Sequence, residues 1–245
     1  WRNRGCEMSQ AVAWIDKTFF PRYENNWDDR MLRERVLARL SPDTIVLDLG
    51  AGAGIVSQMN FLGHAARICG VDLDPRVEVN PFLDEGRVAD GQSIPYPDAV
   101  FDLVFSDNVL EHLEHPAEVF SEVARVLKPG GLFIFKTPNK WHYMPLISRC
   151  TPHAFHRWVN RKRGRAEEDT FPTLYRANSP GDVRRLAART GFEVEAVDLV
   201  EGRPEYLRIH PVTYVGGLVY ERLVNGLPFL KGLRVVLIGS LRKAT

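Results

Sequence analysis

The sequence predicts an α/β fold: a doubly wound, mostly parallel sheet with helices on both faces. Three observations carry that reading. Short apolar runs alternate with amphipathic stretches, the pattern left by buried parallel strands and the helices that cover them. The first run, Thr44-Ile-Val-Leu-Asp48, passes directly into a glycine-rich turn, Gly50-Ala-Gly52-Ala-Gly54. The second, Ala66-Arg-Ile-Cys-Gly-Val-Asp72, ends on an acid.

Along the chain, the first 27 residues are rich in aromatic side chains (Trp14, Phe19, Phe20, Tyr23, Trp27). A helix is expected from about Asp28 to Leu40, with Met31, Leu32, Arg35, Val36 and Arg39 spaced for one face, and Ser41-Pro42-Asp43 ending it. The first strand, its glycine turn and a following helix come next, then the second strand. Phe101-Asp-Leu-Val-Phe-Ser106 reads as a further strand. Pro116 to Leu127 reads as a helix, with Pro in its first turn and Val119, Phe120, Val123, Val126 and Leu127 as its apolar stripe. Lys128-Pro129-Gly130-Gly131 suits a type II turn, and Leu132 to Lys136 leaves it as a strand. Ser179 caps another helix, with Pro180 in its first position, and Gly191 closes it. Phe192–Val200 and Leu233–Leu241 read as the last two strands. The stretches 137–178 and 201–231 fit no βα rhythm, and such long excursions are where specificity is built.

At 245 residues the chain suits one domain able to bury its own core. Its expected parts are an N-terminal helical cap (1–43), a cofactor-binding core (44–138), a substrate lid (139–178) and a C-terminal part (179–245). A formal net charge of +1 disfavours a protein that binds nucleic acid by neutralising phosphates. Cys6, Cys69 and Cys150 lack any metal-ligand or disulfide spacing, so reduced thiols are expected. No apolar run is long enough to span a bilayer, and Trp1-Arg-Asn-Arg has no secretory h-region. The expected location is the cytoplasm. Oligomeric state is not readable.

The glycine turn could serve a dinucleotide or be purely structural. Asp48 argues against a dinucleotide, because a carboxylate two residues before the first glycine repels a pyrophosphate seated on the helix N-terminus. A ligand with positive charge and no phosphate fits better, and S-adenosylmethionine offers an ammonium and a sulfonium. The GxGxG spacing also departs from the dinucleotide GxGxxG. Asp72 lies where an acid can grip two ribose hydroxyls, about 20 residues beyond the turn. The neighbouring Asp74, just before Pro75, reads as a helix N-cap.

With the loop and both acids in place, Thr44 to Pro138 resembles the class I S-adenosylmethionine-dependent methyltransferase family, and within it the broad small-molecule subgroup that includes quinone and glycan methyltransferases. The resemblance implies a seven-stranded sheet, with a lid insertion after strand 5 and a helical insertion between the last two strands. It also implies that Asp48 orients the methionine end, Gly50, Ala51 and Gly52 wrap it, and Asp72 with Leu73 meets the ribose. Asp90 and Gly91 match the adenine position. Asp107, Asn108 and His112, in Ser106-Asp-Asn-Val-Leu-Glu-His-Leu113, match the loop under the methionine moiety. Arg125-Val-Leu-Lys-Pro-Gly-Gly131 matches the turn before the fifth strand. Metal-dependent relatives carry Asp-Asn after the fifth strand; here Thr137-Pro138-Asn139 stands there, and no catalytic metal is expected.

The expected reaction is metal-independent methyl transfer to a small-molecule acceptor, a hydroxyl of a sugar or natural-product-like compound being favoured. A quinone or lipid-like acceptor is the alternative, with the apolar stretch Tyr206 to Leu230 as its wall or else simply a helix over the last two strands. From other classes, an NAD-dependent oxidoreductase and a non-catalytic binding module are the rivals. A hydroxyl acceptor benefits from a general base, for which histidine is the default near neutral pH. His142, just beyond the fifth strand, is favoured. His156 is second, on an expected helix from Thr151 to Arg161 whose polar stripe (His153, His156, Arg157, Asn160, Arg161) is either a lid surface or a solvated basic face.

Overall fold

The computed structural model describes residues 10–23, 26–150 and 172–245. A seven-stranded sheet organises the chain: β1 (Ile45–Leu49), β2 (Arg67–Asp72), β3 (Glu85–Val88), β4 (Phe101–Asp107), β5 (Leu127–Pro138), β6 (Phe192–Val200) and β7 (Val236–Lys243). The spatial order is β3-β2-β1-β4-β5-β7-β6, with β7 antiparallel to both neighbours and the other pairs parallel. The order reverses between β1 and β4, so their carboxyl ends open a crevice where such sheets bind ligands.

Strand alternation sends side chains to two cores. On one face Leu47, Leu49, Val104, Phe133 and Phe135 pack beneath α3 (Pro116–Val126) and α5 (Pro180–Arg189). On the other, Val46, Ile68, Leu103, Phe105 and Ile134 meet Leu32 and Val36 of α2 (Trp27–Leu37), together with Met59 and Phe61. The remaining helices are α1 (Gln10–Phe19), α4 (Tyr143–Cys150) and α6 (Pro211–Gly226). Cys69 is buried with a free thiol. No helix among the described residues is long and apolar enough to cross a membrane.

The structure departs from the sequence reading in several places. No α-helix follows the glycine turn; a 3-10 turn at Ser57–Met59 stands there instead. Val56 before it is extended (φ −86°, ψ 98°), and Arg33 of α2 donates to the carbonyls of Gln58 (2.7 Å) and Asn60 (2.6 Å). Those carbonyls are thus satisfied across the interface, and Met59 and Phe61 supply the apolar cover a helix would have given. Pro75–Val79 is likewise a 3-10 segment, capped by Asp74, whose carboxylate accepts from Arg76 N.

The edge strand β3 (Glu-Gly-Arg-Val) lacks an apolar run because it is paired on one side only and half exposed. The Lys128–Gly131 turn is absorbed into β5, where Gly130 takes φ +77° and the register with β4 slips. Pro228–Leu233 is a 3-10 segment, which moves the start of β7 to Val236. Finally, α6 turns Tyr214 and Leu218 onto Val12, Ile15 and Phe20 of the N-terminal segment, forming a separate small core. By contrast, Ser179 caps α5 as its sequence indicates, its Oγ accepting from Asp182 N at 3.2 Å, and Gly191 takes φ +76° beyond it.

Candidate cofactor and acceptor site

The crevice at the carboxyl ends of β1, β2 and β4 holds a cavity of about 240 Å³. Asp48, Gly50, Ala51, Gly52, Asp72 and Asp107 line it, with Gly54, Ile55, Val56, Met59, Asp74, Arg76, Asn80 and Phe82. The glycine turn builds one wall. Gly50 has φ +85°, and a Cβ there would lie 2.2 Å from Val109 Cγ2, so only glycine lets the loops after β1 and β4 meet this closely. Asn80 supports the turn from behind, donating to the carbonyls of Ala51 (3.0 Å) and Gly52 (3.1 Å).

Asp72 holds the turn from the front. One oxygen accepts from Gly52 N and the other from Asp74 N, both at 2.8 Å. A carboxylate has about four lone-pair sites, so each oxygen keeps capacity for a further hydroxyl donor. Asp48 is buried, and its pKa stands well above the ordinary range because of burial first and then repulsion by Asp107 and Asp72. Three carboxylates converging on one desolvated concavity suit a ligand that brings positive charge. Phosphate does not fit that field.

Asp107 is pushed up to about 6 by burial, against the pull of Lys136 Nζ at 2.9 Å. Lys136 is fully buried and also pairs with Asp28 (2.9 Å) and Asp29 at the start of α2. Burial opposes its charge, but the three carboxylates outweigh it and hold the ammonium above the usual lysine range. Sequence reasoning passed over this cluster. Its signal was a lysine ending the apolar strand Leu132-Phe-Ile-Phe-Lys136, and two adjacent acids, Asp28 and Asp29, opening the first expected helix.

The other expected cofactor residues lie in the loops that follow β2, β3 and β4. Leu73 is exposed, and Asn108 is exposed with φ +54°, its N–H donating to Lys136 O. Asp90 is exposed and turns on itself, accepting from Gln92 N and Nε2, both at 3.0 Å. Gly91 lies against Leu49 and Val119. None of Leu73, Asp90, Gly91, Asn108 or His112 lines the cavity.

The excursion after β5 leaves and returns at this edge. Asn139 donates to the carbonyls of Gly232 and Arg234, both at 2.8 Å, while Asn178 donates to Thr137 Oγ1 (2.6 Å) and Pro138 O (3.0 Å). His112 Nδ1 lies 3.0 Å from Pro172 O, and Leu174 N and Tyr175 N donate to Glu111 O. Buried Glu111 accepts from Thr137 Oγ1 at 2.9 Å. Both ends of the segment are thus pinned beside the loop after β4. His156 and the expected helix 151–161 lie outside the described residues.

His142 is buried at this edge, not in the cavity lining. Burial holds its imidazole neutral, down to about 3, and Nδ1 accepts from Met144 N at 3.4 Å. Its Nε2 is 3.9 Å from Glu201 Oε2 and has no hydrogen-bond partner among the described residues. Tyr143 and Tyr220 pack on the ring. Glu201, just past β6, accepts from Val235 N at 2.8 Å, yet burial and the nearby Glu221 push it up to about 8.

A carboxyl raised on folding contributes stability that is complete below its unfolded value, about 4.5, and lost as pH rises through 8. Thermal denaturation of the parent should therefore show a Tm falling as pH rises from about 5 to about 8, and levelling above that. Glu201→Gln should flatten that fall. Equal slopes in the two proteins would reject Glu201 as its source.

Residues 47–135 match the family described as "Methyltransferase domain". A probable S-adenosylmethionine-dependent methyltransferase of Mycolicibacterium smegmatis is 35% identical over 148 residues, covering 54% of this chain and 53% of that protein. The malonyl-[acyl-carrier protein] O-methyltransferase of Hahella chejuensis is 33% identical over 113 residues, 40% of each chain. The chain thus spans about half the length, or less, of these relatives. Among solved structures, Haemonchus contortus phospholethanolamine N-methyltransferase 2, in complex with phosphomonomethylethanolamine and S-adenosylhomocysteine, superposes with a TM-score of 0.55 at 16% identity, covering 96% of this chain and 57% of that one. Sequence match, strand order and an acid-lined glycine turn agree in supporting a class I S-adenosylmethionine-dependent methyltransferase, with its methyltransferase domain at residues 47–135.

Proposed function

We propose that the protein transfers a methyl group from S-adenosylmethionine to a hydroxyl of a small-molecule acceptor, without a metal. The observation that carries it is the convergence of Asp48, Asp72 and Asp107 on the cavity beside the glycine turn. When bound, the cofactor supplies a methyl group on an electron-deficient sulfur with its leaving group already in place. Asp48 offsets the charge at the methionine end, and Asp72 receives the ribose hydroxyls. Leu73, Asp90, Gly91, Asn108 and His112 complete the cofactor's surroundings at the mouth. The protein's remaining task is alignment, which lowers such barriers by roughly 7–11 kcal/mol in favourable cases.

The segment 139–178 is the substrate lid in this reading, supported by its two pinned ends at the crevice. A base on it, where the acceptor needs one, contributes about 10²–10⁴-fold. His142 and His156 are the two candidates. In the present arrangement His142 takes a proton only by giving up the Met144 N–H. Single-turnover transfer from isotopically labelled S-adenosylmethionine, followed against pH, tests both. The variant lacking the base should lose about 10²-fold or more in kcat with cofactor affinity unchanged. Parent-like rates in His142→Ala and His156→Ala leave alignment alone as the mechanism.

Metal independence is supported by the fate of Thr137 and Asn139. Thr137 is tied to Glu111 and Asn178, and Asn139 to the carbonyls of Gly232 and Arg234. Turnover is expected to survive a chelator; reversible loss restored by Mg²⁺ overturns that part of the reading.

A further inference from the structure

The lobe built from α1, the 3-10 turn at Glu205–Leu207, α6 and the Pro228–Leu233 segment is apolar on a side left exposed among the described residues. At about 100° per residue, the buried residues of α6 (Tyr214, Gly217, Glu221, Val224) fall within one arc of about 80°. Val212, Val215, Val219 and Leu223 fall within another of the same width, diametrically opposite. A helix apolar on both sides normally lies inside a core. Here the outer stripe is open: Val212 is 73% exposed and Val219 53%. Phe229, on the segment after the helix, is 79% exposed. On the neighbouring α1, Trp14 is 61% exposed, with Phe19 edge-on to it at 6.0 Å.

Charge on this lobe is sorted by sign. Among residues 10–23 and 205–233 the acids are Asp16, Glu205 and Glu221, and each is held by partners of the lobe. Asp16 accepts from Tyr214 and pairs with Arg208 (2.6 Å) and Arg203 (3.7 Å). Glu205 pairs with Arg203 (2.6 Å) and Arg208 (2.7 Å), and Glu221 with Asn225 and Arg222. Lys17, Arg22, Arg222 and Lys231 are exposed. Exposed valine, leucine and aromatic side chains of α6, the Pro228–Leu233 segment and α1 thus share this lobe with exposed cations. Pairing two copies through this face by a two-fold axis brings like charges together. An anionic lipid surface matches both the apolar stripe and the sign of the charge.

We propose that this lobe docks the protein on the surface of an anionic bilayer, lying on it without crossing it. The docking face is separate from the cofactor cavity and does not depend on the identity of the acceptor. The test is co-sedimentation of the full chain with vesicles of phosphatidylcholine alone or of phosphatidylcholine mixed with phosphatidylglycerol. Binding is expected only with the anionic lipid and should weaken with salt. Val219→Glu with Phe229→Glu should lower the bound fraction by about tenfold or more, and Lys17→Glu with Lys231→Glu several-fold. S-adenosylmethionine affinity, measured alongside, should be unchanged in both variants, which separates lost docking from lost folding. Absence of binding to the anionic vesicles overturns the proposal, as does binding unaffected by the first pair of substitutions. Binding indifferent to phosphatidylglycerol removes its electrostatic half. A concentration-dependent dimer abolished by Val219→Glu with Phe229→Glu, without vesicle binding, reassigns the face to a second copy.

Discussion

Asp72→Ala is expected to weaken S-adenosylmethionine binding by at least about a hundredfold. Hydrogen bonds to a charged group contribute roughly 1.5–3 kcal/mol each, and this carboxylate is placed to receive two ribose hydroxyls. The structure adds a second source of loss. Asp72 is also the acceptor for Gly52 N and Asp74 N, both at 2.8 Å, so its removal frees two backbone donors and loosens the turn that forms the cavity wall. Asp72→Asn separates the two effects, because the amide retains one acceptor oxygen while losing the charge. Asp74→Ala is the control: Asp74 caps the following 3-10 segment and pairs with Arg76, so cofactor affinity should stay near the parent's. Titration calorimetry of the four proteins reads the result directly. Equal affinity in the parent and Asp72→Ala sinks the assignment.

Lys136→Met should destabilise the fold by about 3–5 kcal/mol, the usual cost of leaving buried charges unpaired. The lysine is the buried partner shared by Asp28, Asp29 and Asp107, and burial already pushes Asp107 up to about 6 with that partner present. Without it the Asp107 carboxyl is driven further up. A carboxyl raised on folding loses its stabilising contribution as pH rises through the folded value, so the variant's deficit should shrink when pH is lowered from 8 to 5. Urea unfolding at the two pH values measures this. A deficit independent of pH would show that Lys136 acts through packing alone. Adding Asp29→Asn to Lys136→Met should recover part of the loss, since one of the stranded charges is then gone.

The Lys136 cluster marks where sequence reasoning stops. Asp48, the three glycines and Asp72 were legible because they lie on one strand–turn unit and at the end of the next strand, where local spacing decides their relation. Asp28 and Lys136 are over a hundred residues apart, and no local pattern brings them together. Glu201, His142 and Tyr220 meet for the same reason only through the pairing of β5, β7 and β6. The helix expected after Gly54 fails differently. Its apolar residues, Met59 and Phe61, do cover the sheet, but Arg33 of α2 takes the carbonyls that a helix would have used.

The sequence by itself determined the strand–turn–acid unit, the alternation that makes a parallel sheet, and the caps that start and end α5. These depend on backbone preference and on neighbours a few residues away, which every copy of the pattern carries with it. Tertiary structure alone decided which charges are buried together, that His142 lies outside the cavity lining, and that the outer face of α6 meets solvent. A periodic apolar stripe shows that a helix has an apolar face; whether another element covers that face depends on where distant parts of the chain are packed.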